Sequence, residues 1–109
     1  MKIAIIGSRG FPELHRVEEY LDSLSDFEII TGGALGVDDI AEQWAKKNNV
    51  KCEVITPINP TQKFSYLLRN VEILTKADKV VAFWDGKSKG TKFVIDYCYS
   101  RQKELILIQ

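Results

Sequence analysis

Short apolar runs alternate along the chain with segments of helical period. Five runs read as strands: Lys2–Ile6, Glu28–Thr31, Lys51–Ile55, Lys79–Trp84 and Leu105–Ile108. Most are continuous in Val, Ile and Leu, the pattern of parallel strands covered on both faces. Helical periodicity fills the intervals. Leu14, Val17, Leu21 and Leu24 recur at spacings of three and four, and Val37, Ile40, Ala41, Trp44 and Ala45 form the sharpest amphipathic stripe. A third pattern runs from Gln62 to Lys76 with Leu67, Leu68, Val71 and Leu74 inward, and a fourth from Thr91 to Arg101 with Val94, Ile95 and Cys98 inward. This alternation predicts an α/β fold, a Rossmann-like three-layer sandwich. Its parallel sheet has about five strands, with helices on both faces. The expected strand order is 3-2-1-4-5, and ligands bind such sheets beyond the strands' carboxyl ends, where the order reverses between the first and fourth strands.

The length of 109 residues fits a single domain, 1–109. Lys plus Arg equals Asp plus Glu at 15 each, which argues against a polybasic membrane binder or a nucleic-acid coat protein. No apolar stretch approaches the roughly 20 residues that span a bilayer, and the first apolar run breaks at Gly7-Ser8-Arg9, too early for a signal peptide. Cys52 and Cys98 have no metal-ligand spacing and read as reduced thiols of a cytoplasmic protein. His15 is the only histidine, off the apolar stripe of its helix, so neither a His-based metal site nor a catalytic dyad is expected.

The fold asks for small and polar residues at the strands' carboxyl ends, and the chain supplies them. Gly7-Ser8-Arg9-Gly10 follows the first strand, Thr31-Gly32-Gly33-Ala34-Leu35-Gly36-Val37-Asp38 the second, and Asp85-Gly86-Lys87-Ser88-Lys89-Gly90-Thr91 the fourth. Arg69-Asn70 lies on the third helix pattern, within reach of the same crevice. Glycines let backbone N–H groups approach phosphate oxygens, and the helix that starts after each of the last two loops adds unpaired N–H groups and a positive dipole end. Arg9 and Arg69 offer bidentate contacts to phosphate or carboxylate. Asp38 and Asp85 are acceptors for ribose hydroxyls, with Trp84 or Phe11 as stacking surfaces. Each feature has a plainer reading: Asp38 as a helix cap, Asp85-Gly86 as a turn pair, Trp84 as packing, and Lys87, Lys89 and Lys92 as a solvated face. Convergence of three loops at one sheet edge is what favours function. The dinucleotide fingerprint, the P-loop, the serine-hydrolase elbow and a nucleophile–His–Asp set are all absent.

Taken together, Gly7-Ser8-Arg9, Thr31-Gly32-Gly33-Ala34-x-Gly36-x-Asp38, Arg69-Asn70 and Ala82-Phe83-Trp84-Asp85-Gly86-x-Ser88-x-Gly90-Thr91 resemble the SLOG superfamily. The most similar branch is the small one related to YspA and YpsA, and the resemblance covers nearly the whole chain. It implies a Rossmann-like fold with a pocket for nucleotides or nucleotide-derived ligands, lined by these loops. Two more distant branches sharpen the alternatives. The LOG phosphoribohydrolases use R-K-x-x-M and P-G-G-x-G-T-x-x-E. Arg69-Asn70-Val71-Glu72-Ile73 is similar to the first and Gly90-Thr91 to the G-T of the second, but the glutamate position falls on Val94. N-glycoside hydrolysis passes through an oxocarbenium-like state that a carboxylate stabilises. Asp96 is two residues further along the helix, rotated roughly 200° away. The DprA family shares a G-S-R and an S-G-x-A-x-G-x-D pattern and binds single-stranded DNA, a task for basic grooves with stacking aromatics.

The leading expectation is therefore a nucleotide-like small molecule bound or sensed without strong catalysis. Its phosphate is expected over Gly32–Gly36 and Gly90-Thr91, gripped by Arg69 with Arg9 and Ser8, and its base or sugar toward Trp84, Asp85 and Asp38. The alternatives are a nucleoside-monophosphate N-glycosidase and single-stranded DNA binding, the latter less favoured by the neutral charge. No catalytic residue, metal or cofactor is assigned. Phe64, Tyr66, Leu67, Leu68, Ile73 and Leu74 give the third helix more apolar surface than one sheet face needs, which suggests a homodimer contact.

Overall fold

In the computed structural model, which describes residues 1–109, the strand β1 (Lys2–Gly7) divides its continuous apolar run between two cores. Ile3 and Ile5 point to one face of the sheet and Ala4 and Ile6 to the other, the period of two that any strand imposes. The remaining elements follow in order: α1 (His15–Asp22), β2 (Glu28–Thr31), α2 (Val37–Lys47), β3 (Cys52–Val54), α3 (Lys63–Lys76), β4 (Lys79–Phe83), α4 (Lys89–Ser100) and β5 (Leu105–Ile108). All strand pairs are parallel, in the order β3-β2-β1-β4-β5, so the fold is the Rossmann-like α/β sandwich read from the pattern.

The helices α1 and α2 cover one face, where Val17, Leu21, Val37, Ala41 and Trp44 meet Ile3, Ile5, Val81 and Phe83. On the other face, Ile73 and Leu74 of α3 and Val94 and Cys98 of α4 meet Ala4, Ile6, Ile30 and Val80. Burying each Val, Leu or Ile side chain among these contributes about 1.5–3 kcal/mol, so both layers are held firmly against the sheet. The switch point lies between β1 and β4, whose carboxyl ends are in register at Gly7 and Phe83. No helix is long and apolar enough to cross a membrane.

Four expectations change. β3 is shorter than Lys51–Ile55, although the ladder reaches both flanks: Ile29 N donates to Lys51 O and Ile55 N to Thr31 O, each at 2.9 Å. The fourth helix begins two residues earlier, at Lys89. In α3 the inward face is Asn70, Ile73 and Leu74, whereas Leu67 and Leu68 are 39% and 50% exposed. The carboxyl half of α3 supplies Ile73 and Leu74 to the core against the sheet, whereas Leu68 lies in a shallow surface pocket beside Thr56 and Ile58. Phe11 is also core rather than a stacking surface: it is buried edge-on against Phe83, with ring centroids 5.5 Å apart, and pins the loop after β1.

Candidate functional site

Three loops meet beyond the ends of β1, β2 and β4; hydrogen bonds fix the first to the third and tie the second to α2 and α3. Gly7 is required by close approach, because a Cβ there would collide with the Val37 side chain at the start of α2. Ser8 is buried: its N–H donates to Phe83 O at 3.0 Å, its hydroxyl accepts from Asp85 N at 3.2 Å and lies 3.4 Å from Thr91 Oγ1. It thus braces the first loop against the third. Arg9, next in sequence, is exposed and lines the cleft.

The loop after β2 is held from both sides of Gly32. Asp38, in the first turn of α2, accepts from Gly32 N at 3.1 Å and Ala34 N at 3.4 Å through Oδ2. From α3, Arg69 Nη1 donates to Gly32 O and Arg69 Nε to Asn70 Oδ1, the latter at 2.9 Å. The Thr31 hydroxyl is occupied by Ile5 O at 2.9 Å. Gly36 caps α2 at φ 85°, where any side chain is strained, and a Cβ would stand 3.1 Å from Arg9 O.

Asp38 is only 4% exposed, and its second oxygen, Oδ1, has no hydrogen-bond partner. Burial pushes its carboxyl up to about 6; the Ala34 and Gly32 amides and the Arg69 charge pull the other way without cancelling it. Burial lowers the Arg69 guanidinium from its ordinary value, against the opposing pull of Asp38. A buried carboxylate oxygen without a partner is costly, on the order of 1–3 kcal/mol or more for a charged group, so a donor that reaches it gains the same amount.

After β4 the arrangement differs. Asp85 Oδ1 accepts from Lys87 N at 2.8 Å and Ser88 N at 2.9 Å, and these amides hold its carboxyl below the usual range. The Ser88 hydroxyl caps α4 by accepting from Thr91 N at 3.4 Å. No acidic residue occupies the first turn of α4, and a Cβ built on Gly90 meets nothing within 4 Å. Trp84 stands behind this loop, its Nε1 donating to Ser88 O at 3.1 Å.

The cleft enclosed by these loops has a volume of about 290 Å³. Of the residues expected from sequence, Gly7, Arg9, Ala34, Asp38, Arg69, Asn70, Asp85, Ser88, Gly90 and Thr91 line it. Ser8, Thr31, Gly32, Gly36 and Trp84 form the framework behind its wall instead, and Gly32 and Gly33 face an adjoining chamber. Four further residues that line the cleft, Ile6, Gly10, Tyr66 and Ile73, were not among those expected from sequence. Tyr66 had a readable signal, since three residues before Arg69 on a helix is the same face.

The sequence model of the YspA, cpYpsA-related SLOG family matches residues 1–58, which carry the Gly7-Ser8-Arg9 and Thr31–Asp38 loops. The chain belongs to this SLOG family. The remaining SLOG-like features, Arg69-Asn70 and the loop from Asp85 to Thr91, lie outside the matched residues, and the fold brings them to the same cleft. Among solved structures, the SLOG chain is similar to DNA processing protein A from Helicobacter pylori, described for its single-stranded DNA binding mode. The TM-score is 0.76 at 26% identity, over 98% of this chain and 64% of that one. DprA from Streptococcus pneumoniae has the same fold, with a TM-score of 0.80 at 19% identity over 99% of this chain and 50% of its own. The SLOG chain therefore spans between half and two thirds of these relatives. No curated protein sequence matches it.

Proposed function

We propose that this SLOG chain binds a nucleotide or nucleotide-derived ligand in the cleft, with its phosphate at the N-terminus of α4. A hydroxyl or amino group of its sugar or base would donate to Asp38. The carrying observation is that one cleft holds a helix whose first turn carries no acidic residue and a buried carboxylate oxygen free of any partner. The first-turn N–H groups and dipole of α4 suit an anion, and the Arg9 and Arg69 guanidiniums add charge. Asp85, with Oδ1 taken by the loop, offers Oδ2 as a second acceptor. This departs from the expected phosphate position over Gly32–Gly36, because Asp38 already occupies the Gly32 and Ala34 amides.

Binding without strong catalysis is the reading the carboxylates favour. The position of the hydrolase glutamate is Val94, fully buried in the core, and Asp96 is on the outer surface, paired with Lys92 at 2.9 Å. Single-stranded DNA binding is the second reading, favoured by the 26% identity to a DprA described for that activity.

A thermal-shift panel of mononucleotides, ADP-ribose, cyclic nucleotides and a short single-stranded oligonucleotide tests both. A ligand at 100 times its Kd adds about 2.7 kcal/mol, a shift of several degrees for a domain of this size. The nucleotide shift should vanish in Arg69→Ala and weaken in Gly90→Ala, whose added methyl enters the cleft without touching the fold. An oligonucleotide shift alone, weakening steeply with salt, would move the assignment to DNA. Release of free base from nucleoside monophosphates would establish the hydrolase instead.

The same proposal treats the chain as one cytoplasmic domain that self-associates through the exposed Phe64, Leu67 and Leu68 of α3. Sedimentation of wild type and Leu68→Glu checks it, a dimer being expected only for the former.

A further inference from the structure

Beyond Arg69 the cleft continues into a second chamber of about 310 Å³, which shares Arg9, Gly32, Gly33, Ala34 and Arg69 with the expected phosphate site but extends past it to a wall with no assigned role. Arg9, Ala34, Tyr66 and Arg69 belong to both spaces, so they form a shared partition. The far wall is the loop after β3, with Thr56, Pro57 and Pro60. This loop is built rather than slack. Thr61 N and Oγ1 donate to Asn59 Oδ1 at 3.1 and 2.7 Å, Gln62 N donates to Asn59 O at 3.1 Å, and the Tyr66 hydroxyl donates to Pro60 O at 3.0 Å.

The two spaces differ in charge. In the first, Asp38 and Asp85 balance Arg9 and Arg69; the second contains the same two arginines and no carboxylate. Arg69 is fixed by its bonds to Gly32 O and Asn70 Oδ1 and by the Tyr66 ring 5.4 Å from its Cζ, while its Nη2 has no partner within the chain. A preorganised guanidinium with free donors, standing between two cavities, suits a phosphate that bridges them. Proline rings and an aromatic wall suit an apolar, planar group beyond it. Each cavity alone is at the floor of the roughly 300–1,000 Å³ range of ligand pockets, and the two joined lie well inside it.

We infer that the ligand consists of two nucleoside units joined through phosphate, the bridging phosphate held between Arg9 and Arg69 and the second unit in the chamber walled by Thr56, Pro57 and Pro60. The inference rests on the nucleotide-binding reading of the first cleft. A soluble dinucleotide and a single DNA strand both present this chemistry.

Calorimetric titrations of the full chain with adenosine monophosphate, the dinucleotide pApA, and oligoadenylates of increasing length test it. The expected result is at least tenfold tighter binding of pApA than of the mononucleotide. That gain should disappear in Thr56→Trp, which fills the second chamber, while mononucleotide affinity stays as in wild type and reports that the variant is folded. No further gain beyond two units identifies a soluble dinucleotide; a continuing rise with length identifies a strand. Equal affinity for one and two units would overturn the inference and leave the first cleft's reading standing, whereas no binding of either would overturn both. A gain that survives Thr56→Trp would remove the second chamber from the assignment.

Discussion

At the N-terminus of α2, a carboxylate from the helix's own first turn has folded back onto the loop and taken two of its amides. At the N-terminus of α4, the capping side chain is a serine, the first turn carries no acid, and Gly90 faces open space. Both loops are glycine-rich, both follow a strand, and both enter a helix, so they look equivalent as anion sites in sequence. The difference lies in where each loop's aspartate sits. Asp38 comes after its glycines and points back at them from a buried position. Asp85 comes before its loop and caps the amides of Lys87 and Ser88, and Ser88 caps that of Thr91, leaving those of Lys89 and Gly90 at the start of α4. A glycine-rich loop is thus an anion site only where the protein's own carboxylates have not filled it. Asp38 makes the first loop a structural clamp with one acceptor left over; the second remains open for a ligand.

The contrast is broken most strongly by pH. The Asp38 carboxyl is raised from 3.8 to about 6 in the folded chain, so the native state binds its proton more tightly than the unfolded state does. Stability from this group is full below about pH 4 and is lost as pH rises through 6, by about 3 kcal/mol at 1.36 kcal/mol per unit. Asp85 is lowered and acts in the opposite direction, losing its contribution as pH falls below the ordinary carboxylate range. The difference in urea midpoint between wild type and Asp38→Asn isolates the first effect. The variant, which keeps an acceptor for Gly32 and Ala34, should gain on wild type from pH 4 to pH 7. A constant difference would contradict the buried, unpartnered carboxylate.

Substituting matched glycines sharpens the comparison. Gly36→Ala forces a side chain into φ 85° against Arg9 O and should cost about 1–3 kcal/mol in chemical denaturation. Gly90→Ala meets no atom and restricts the unfolded chain, so it should stabilise the free protein by about 0.5–1 kcal/mol while weakening nucleotide binding. Equal destabilisation by the two would mean that the loops are structurally alike.

Strand order, the two-faced core and the meeting of the three loops were legible in sequence because each follows from a simple periodicity or a topological rule. Continuous runs such as Ile3–Ile6 mark strands buried on both sides, and the alternation of strands and helices leaves few topologies. What escaped depends on distances that no pattern records. The inward face of α3 shifted from Leu67 and Leu68 to Asn70 and Ile73 because only the carboxyl half of the helix contributes to the core, which periodicity alone does not reveal. Ser8 and Thr31 are polar residues at the right edge, yet their hydroxyls are used internally, Ser8 by Asp85 N and Thr31 by Ile5 O. The Pro57–Pro60 loop has no glycine to mark it in sequence, although it follows a strand's carboxyl end like the others and walls the second chamber.

The most direct test of the account is a nitrogen–proton NMR titration of the 12.4 kDa chain with adenosine monophosphate, following individual backbone amides. The account predicts large, saturable shifts at Lys89 and Gly90, with Thr91, already capped by the Ser88 hydroxyl, and the amides of Gly32 and Ala34, held by Asp38, moving little. Shifts concentrated at Gly32–Ala34 with a silent α4 N-terminus would contradict it, and would make the clamp, rather than the open helix end, the place where the anion binds.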